Sequence, residues 1–300
     1  MKRKEKQQKK RKKWPYAVIF FLGLMVLLYP LVSQYYYRIE AQNQLVEFEK
    51  SVSEMDESEI IKRMDLARAY NAVLDPTRLA DPYTDKEKEG IAEYARMLEV
   101  EEKLGFIEIP SIDCKIPIYA GTKESVLQKG AGHLEGTSLP IGGDSTHTVI
   151  TAHRGLPTAE LFTHLDKVKK GDVFYIHNLE TVLAYEVDQI LTVEPSDFDP
   201  VLVTEGQDYA TLLTCTPYMI NSHRLLVRGH RIPYVAPVDD GVAISRSLND
   251  KYKDYIVFEV LIVGVLLAIV LYTRHDALRK KKIYLELERK ARTYGEENES

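Results

Sequence analysis

Two apolar runs frame this chain, and each is long enough to cross a bilayer. Residues 16–32 (YAVIFFLGLMVLLYPLV) carry no charge. At 1.5 Å per helical residue they reach about 26 Å, close to the ~30 Å of a hydrocarbon core. Trp14 and Tyr35 to Tyr37 flank them as interface anchors. Residues 255–272 (YIVFEVLIVGVLLAIVLY) are interrupted only by Glu259, in the first turns, where a carboxylate can reach the headgroups. Each run is basic on one flank only: nine Lys/Arg lie in residues 1–13, and Arg274, Arg279 and Lys280 to Lys282 follow the second run. The positive-inside rule therefore places both termini in the cytoplasm and residues from about 34 to 254 outside. The first run reads as an uncleaved signal anchor. It is longer than a usual signal-peptide core, and Leu31-Val32-Ser33 is a poor substitute for an A-x-A cleavage site.

That division explains a net charge that averages conceal. The chain is 300 residues long with a net charge of −5. Residues 1–13 hold nine bases and one acid, and residues 273–300 hold eight bases and six acids. The stretch between is thus acidic by fifteen charges. The basic caps fix topology, and the acidic body is extracytoplasmic. Two cysteines allow one bridge at most, so no disulfide framework holds the fold.

Within the body, residues 38–74 are rich in Glu, Lys, Ala and Leu, with Leu45, Phe48, Val52 and Met55 at helical spacing. Two Asp-Pro steps in 75–85 (DPTRLADPYTD) break that pattern and predict a loop, and 86–104 return to a helical texture. From Gly105 the texture changes to short β-branched runs punctuated by turns: FIEIP, CKIPIY, HTVITAH, VFYIHN, VLAYEVDQILTVE, YATLLTC and HRLLVRGHRI. Strands without intervening long helices predict an antiparallel barrel or sandwich ending near Tyr234. Residues 235–254 form a linker into the second span.

The cysteines separate by pattern. Cys114 shares a period-2 face with Ile112, Ile116 and Ile118, which predicts a core position. Cys215 instead ends a strand at Thr216-Pro217, and another strand opens at Arg224. If the two form a hairpin, Cys215 and Arg224 oppose each other at about 4.5–5.5 Å between Cα atoms. Arg228 is four residues further, about 13 Å away. A nucleophilic thiol also needs a base. His153, at the end of the strand HTVITA, leads the histidines, with His147 and His133 behind it; His223 points to the wrong face. No His/Cys/Asp cluster has metal-ligand spacing. No carboxylate announces itself as an orienter of His153; Asp144 belongs to a Gly-rich turn.

Here the residues carry a resemblance. Thr211-Leu212-Leu213-Thr214-Cys215, with Arg224 nine residues on, resembles the Thr-Leu-x-Thr-Cys signature of sortases, and Thr151-Ala152-His153-Arg154-Gly155 resembles their histidine segment. Two spans and Asp81-Pro82-Tyr83 upstream make the chain similar to class C, pilus-assembling sortases, whose helical extension carries an Asp-Pro-aromatic lid; Tyr83 stands where Trp or Phe is usual. The resemblance implies an eight-stranded β-barrel over 105–234, a helical extension over 34–104 with a lid at 75–85, spans at 14–33 and 255–273, and cytoplasmic segments 1–13 and 274–300. It implies a cysteine transpeptidase of the Gram-positive cell membrane, of thiol-protease type. Cys215 would be the nucleophile, His153 the acid and base, and Arg224 the oxyanion or substrate ligand, with Asp81, Pro82 and Tyr83 forming the lid. Its partners would be pilin subunits bearing an LPXTG-like signal and an acceptor lysine, with a housekeeping sortase as a further candidate. It needs no cofactor, metal or nucleic acid. The alternatives are a sortase that anchors surface proteins to the cell wall, and a non-enzymatic scaffold with a Cys114–Cys215 disulfide. Papain-like proteases and L,D-transpeptidases place their cysteines in other local contexts.

Overall fold

The computed structural model describes residues 14–74, 98–100, 102–235, 263–264, 270 and 272–289. The lid segment 75–85 and most of the second apolar run lie outside the described residues. Residues 272–289, from the end of the predicted second span into the basic tail, are helical.

The first apolar run does not stop at its polar boundary. It continues as one 40-residue helix, α1 (Trp14–Ser53), which carries Pro30 inside it. The part from Ile19 onward is apolar enough to cross a membrane. Past the run, every third or fourth residue turns inward: Ala41, Leu45 and Phe48 are buried. Helix α2 (Glu57–Ala72) folds back and buries Met64 and Ala67. Leu45, Phe48, Met64 and Ala67 join the barrel residues Leu104, Phe106, Ile107 and Ile118 in one apolar core. The described part of the extension therefore shares the barrel's core rather than forming a separate module.

The strands are β1 (Lys103–Ile109), β2 (Cys114–Ala120), β3 (Ala131–His133), β4 (Thr146–Thr151), β5 (Val173–His177), β6 (Val182–Val193), β7 (Asp208–Thr216) and β8 (His223–Ile232). They close into a barrel in the order β1-β2-β3-β4-β7-β8-β6-β5. Closure leaves no sheet edge exposed. Gly105 sits at a bulge of β1 with φ +150°, and a Cβ there would collide with the His177 carbonyl across the β1–β5 closure. Only glycine fits that approach.

Three sequence expectations change. The barrel is not wholly antiparallel, because β2 pairs with β3 and β4 with β7 in parallel. Long connections make this feasible: residues 121–130, with the helical turn α3 (Glu124–Leu127), lead into β3, and two intervening strands separate β4 from β7. Strand β3 itself, only Ala-Gly-His, carries no β-branched signal. Ile112 lies in a one-turn 3-10 helix, Pro110–Ile112, and is half-buried, so the core face of β2 begins at Cys114.

Candidate active site

Cys215, Arg224 and His153 are brought together by strand register. On one side of β7, the antiparallel partner β8 sets Cys215 directly opposite Arg224. On the other, β4 runs parallel with Thr151 beside Leu213. Two hydrogen bonds carry that pairing past the end of β4: Ala152 N–H donates to the Leu213 carbonyl at 3.2 Å, and Thr214 Oγ1 donates to the Ala152 carbonyl at 2.8 Å. Carried two residues beyond Thr151, the same register brings His153 to the level of Cys215. The thiol-bearing residue is flanked by a histidine and an arginine on neighbouring strands.

Alternation puts this trio on the outer face of the barrel. Leu212 and Val227 point into the main core. Leu213 and Leu226, one residue on, belong to a second apolar cluster with Leu134, Val149 and Val201, covered by Leu191, Val193 and Phe198. A small apolar hollow there is lined by Val193, Pro195, Phe198, Leu213 and Leu226, with Arg224 at its rim.

Cys215 is 5% exposed and Arg224 4%. Arg224 Nη1 donates to the Asn221 and His223 carbonyls at 3.0 and 3.1 Å, so the hairpin loop anchors the guanidinium. Arg228, by contrast, is committed to a bidentate pair with Asp188 at 3.0 and 2.9 Å. His153 Nε2 lies 3.1 Å from both carboxylate oxygens of Glu124, the first residue of α3. This carboxylate was not legible in the sequence: it is 29 residues upstream, on a four-residue turn with no pattern of its own. Arg154 was also missed. It donates to Thr216 Oγ1 at 3.1 Å and pairs with Asp166 at 2.8 Å, tying the histidine segment to the end of β7.

The other thiol and the rival histidines are built into the core. Burial pushes the Cys114 thiol up to about 12. Neither cysteine is in a disulfide. Strands β2 and β7 are separated by β3 and β4, about 14 Å at 4.7 Å per strand, so the disulfide alternative is excluded by geometry. His133 and His147 are each lowered to about 4 by burial. His147 Nδ1–H donates to the Leu202 carbonyl at 2.9 Å, so Nε2 accepts from Thr211 Oγ1 at 2.7 Å. Asp144 accepts from Ser145 Oγ in its turn, as expected.

The two buried histidines predict an acid-sensitive fold. The unfolded chain takes up protons near 6.5, while these rings refuse them until about 4. Stability is full above the unfolded value and falls with pH across that window, by up to about 1.4 kcal/mol per pH unit for each ring. Urea midpoints taken between about pH 7 and pH 4.5 should show the decline. His147→Gln should flatten its share; an unchanged slope would refute the assignment.

The sortase-domain family model matches residues 107–232. Sortase A of Bacillus anthracis is 26% identical over 170 residues, 56% of this chain and 76% of the relative. A solved sortase C of Streptococcus pneumoniae is 64% identical with a TM-score of 0.61, covering 65% of this chain and 100% of that one. A pilus-related sortase C of Group B Streptococcus is 62% identical with a TM-score of 0.60, covering 62% and 96%. The chain belongs to the sortase family of transpeptidases. Within it, the chain is a class C sortase.

Proposed function

We propose that this enzyme cleaves an LPXTG-like sorting signal between Thr and Gly and joins the Thr carbonyl to a pilin lysine, polymerising pilus subunits. The observation that supports this reading is the register of β7: β8 pairs Arg224 with Cys215, and the β4 register, extended two residues past Thr151, leads His153 toward the other side. The Cys215 thiolate attacks the Thr carbonyl carbon, and Arg224 donates to the resulting oxyanion. Collapse breaks the Thr–Gly bond, His153 protonates the departing amine, and a thioester remains. The lysine ε-amine then attacks the thioester, His153 takes its proton, and the thiolate returns as the isopeptide forms. In the native host, Cys215→Ala should remove high-molecular-weight pilin ladders. Intact ladders would refute polymerisation by this enzyme, and ladders retained but no longer wall-linked would favour the anchoring alternative.

In this reading Glu124 positions His153 by accepting from Nε2–H. The carboxylate is 66% exposed, so water screens the pair. Its loss should cost only a small part of the ~10²–10⁴-fold that general acid–base catalysis supplies. Glu124→Gln should lower kcat about fivefold with KM and thermal stability unchanged. A change in KM alone would assign Glu124 to substrate binding instead.

The lid belongs to the same proposal. Asp81 would pair with Arg224 and Tyr83 would cover Cys215, guarding the thioester from water until an amine arrives. Replacing both with alanine should quicken labelling of Cys215 by a small thiol reagent, and unchanged labelling would sink the lid.

We infer that the apolar half of α1 anchors the enzyme in the cell membrane, with residues 255–273 as a second span and the barrel outside.

A further inference from the structure

Strand directions and α1 together orient the barrel relative to the bilayer. The pairings make β1, β4, β6 and β7 run one way and β2, β3, β5 and β8 the other. One end of the barrel therefore gathers the β1–β2 turn, the β4–β5 segment carrying His153, and the β7–β8 loop between Cys215 and Arg224. Helix α1 meets that same end first. Ser33, immediately after the apolar run, lies 3.4 Å from the Thr158 carbonyl of the β4–β5 segment. Arg38 then bridges Asp113 in the β1–β2 turn and Glu160 in the β4–β5 segment, at 2.9 and 3.0 Å. Further along, Gln44 reaches Tyr119 and Glu47 reaches Lys103, both toward the opposite end. At 1.5 Å per residue, Arg38 is about 9 Å beyond the last apolar residue, within or just above the ~5–7 Å headgroup layer.

The loop at this end is apolar and exposed. Tyr218, Met219 and Ile220 are 50%, 69% and 71% accessible, an unusual run at a turn whose Met219 and Asn221 carry positive φ. It adjoins the segment that α1 holds: the Arg154 guanidinium lies 5.8 Å from the Tyr218 ring centroid, and Gly155 faces Tyr218 and Met219. Tyrosine with aliphatic neighbours is the composition of an interfacial contact.

We infer that the catalytic end of the barrel faces the membrane and that Tyr218, Met219 and Ile220 dip into the lipid interface as a second contact beside α1. This rests on the reading of residues 16–32 as a bilayer span. It confines the thiol to peptides presented at the membrane surface.

The test uses the full chain in vesicles of phosphatidylcholine and phosphatidylglycerol with brominated acyl chains. Trp14 is the only tryptophan, so Trp14→Phe gives a silent background. Ile220→Trp should emit at shorter wavelength and lose about half its intensity to the brominated lipid. Glu205→Trp, exposed just before β7 at the far end, should lose none. Vesicle flotation of both variants checks the anchor separately: failure to float refutes the span and the inference with it. Flotation with an unquenched Ile220→Trp overturns the inference alone. A blue shift that needs high protein-to-lipid ratios, without quenching, assigns the patch to a second copy of the chain and also overturns it.

Discussion

Cys215→Ala should abolish transpeptidation, whereas Cys114→Ala should leave the rate within about twofold of the parent. The two thiols differ in their surroundings. Cys215 stands one residue before the end of β7, on the outer face, opposite Arg224. Cys114 is enclosed by the main core, its Sγ 3.5 Å from the Leu161 carbonyl, and burial holds its proton far above neutral pH. A thiol that keeps its proton is a poor nucleophile. Removing Sγ from Cys114 leaves a small cavity, so its cost should appear in thermal stability, about 1 kcal/mol, rather than in turnover. Peptide–amine ligation by the purified full-length protein, with melting curves alongside, checks both halves. Loss of activity in Cys114→Ala at unchanged stability would contradict the division.

Arg224→Ala should lower kcat/KM by about 10²–10³-fold, the scale of removing one preorganised oxyanion donor. Arg224→Lys should recover only part of that loss. Lysine keeps the charge but cannot span the Asn221 and His223 carbonyls while presenting a planar fork to the substrate. Arg228→Ala is the necessary contrast. It breaks the pair with Asp188 and leaves Tyr209, whose ring lies 4.2 Å from the guanidinium, without its cation. That change should lower stability and leave kcat of the folded fraction within about threefold. Equal kinetic losses at 224 and 228 would show that the arginine acts through folding.

These expectations could be framed from the sequence because local patterns fix local geometry. Arg224 lies nine positions after Cys215, and a stop at Thr216-Pro217 turns that spacing into a hairpin register that the structure reproduces residue for residue. The end of HTVITA likewise places His153 at a strand terminus, and seven of the eight strands carry their own β-branched runs. What could not be read is what depends on where a long connection returns. Nothing in residues 152–207 says that β7 lies parallel to β4, yet that choice alone brings His153 beside Cys215. The same limit hid Glu124, which reaches His153 through a loop, and β3, whose three residues become a strand only because β2 and β4 flank them. The periodicity of α1 was legible, but not that one unbroken helix would run from the apolar segment to the barrel core.

The central claim is that Cys215 carries the acyl group. The most direct measurement is intact mass and peptide mapping of the full-length protein after reaction with a Leu-Pro-x-Thr-Gly peptide in the absence of any amine acceptor. The account predicts one adduct of the peptide truncated after Thr, mapped to Cys215, released by hydroxylamine, and absent from Cys215→Ala. An adduct on Cys114, or continued turnover by Cys215→Ala, would contradict it.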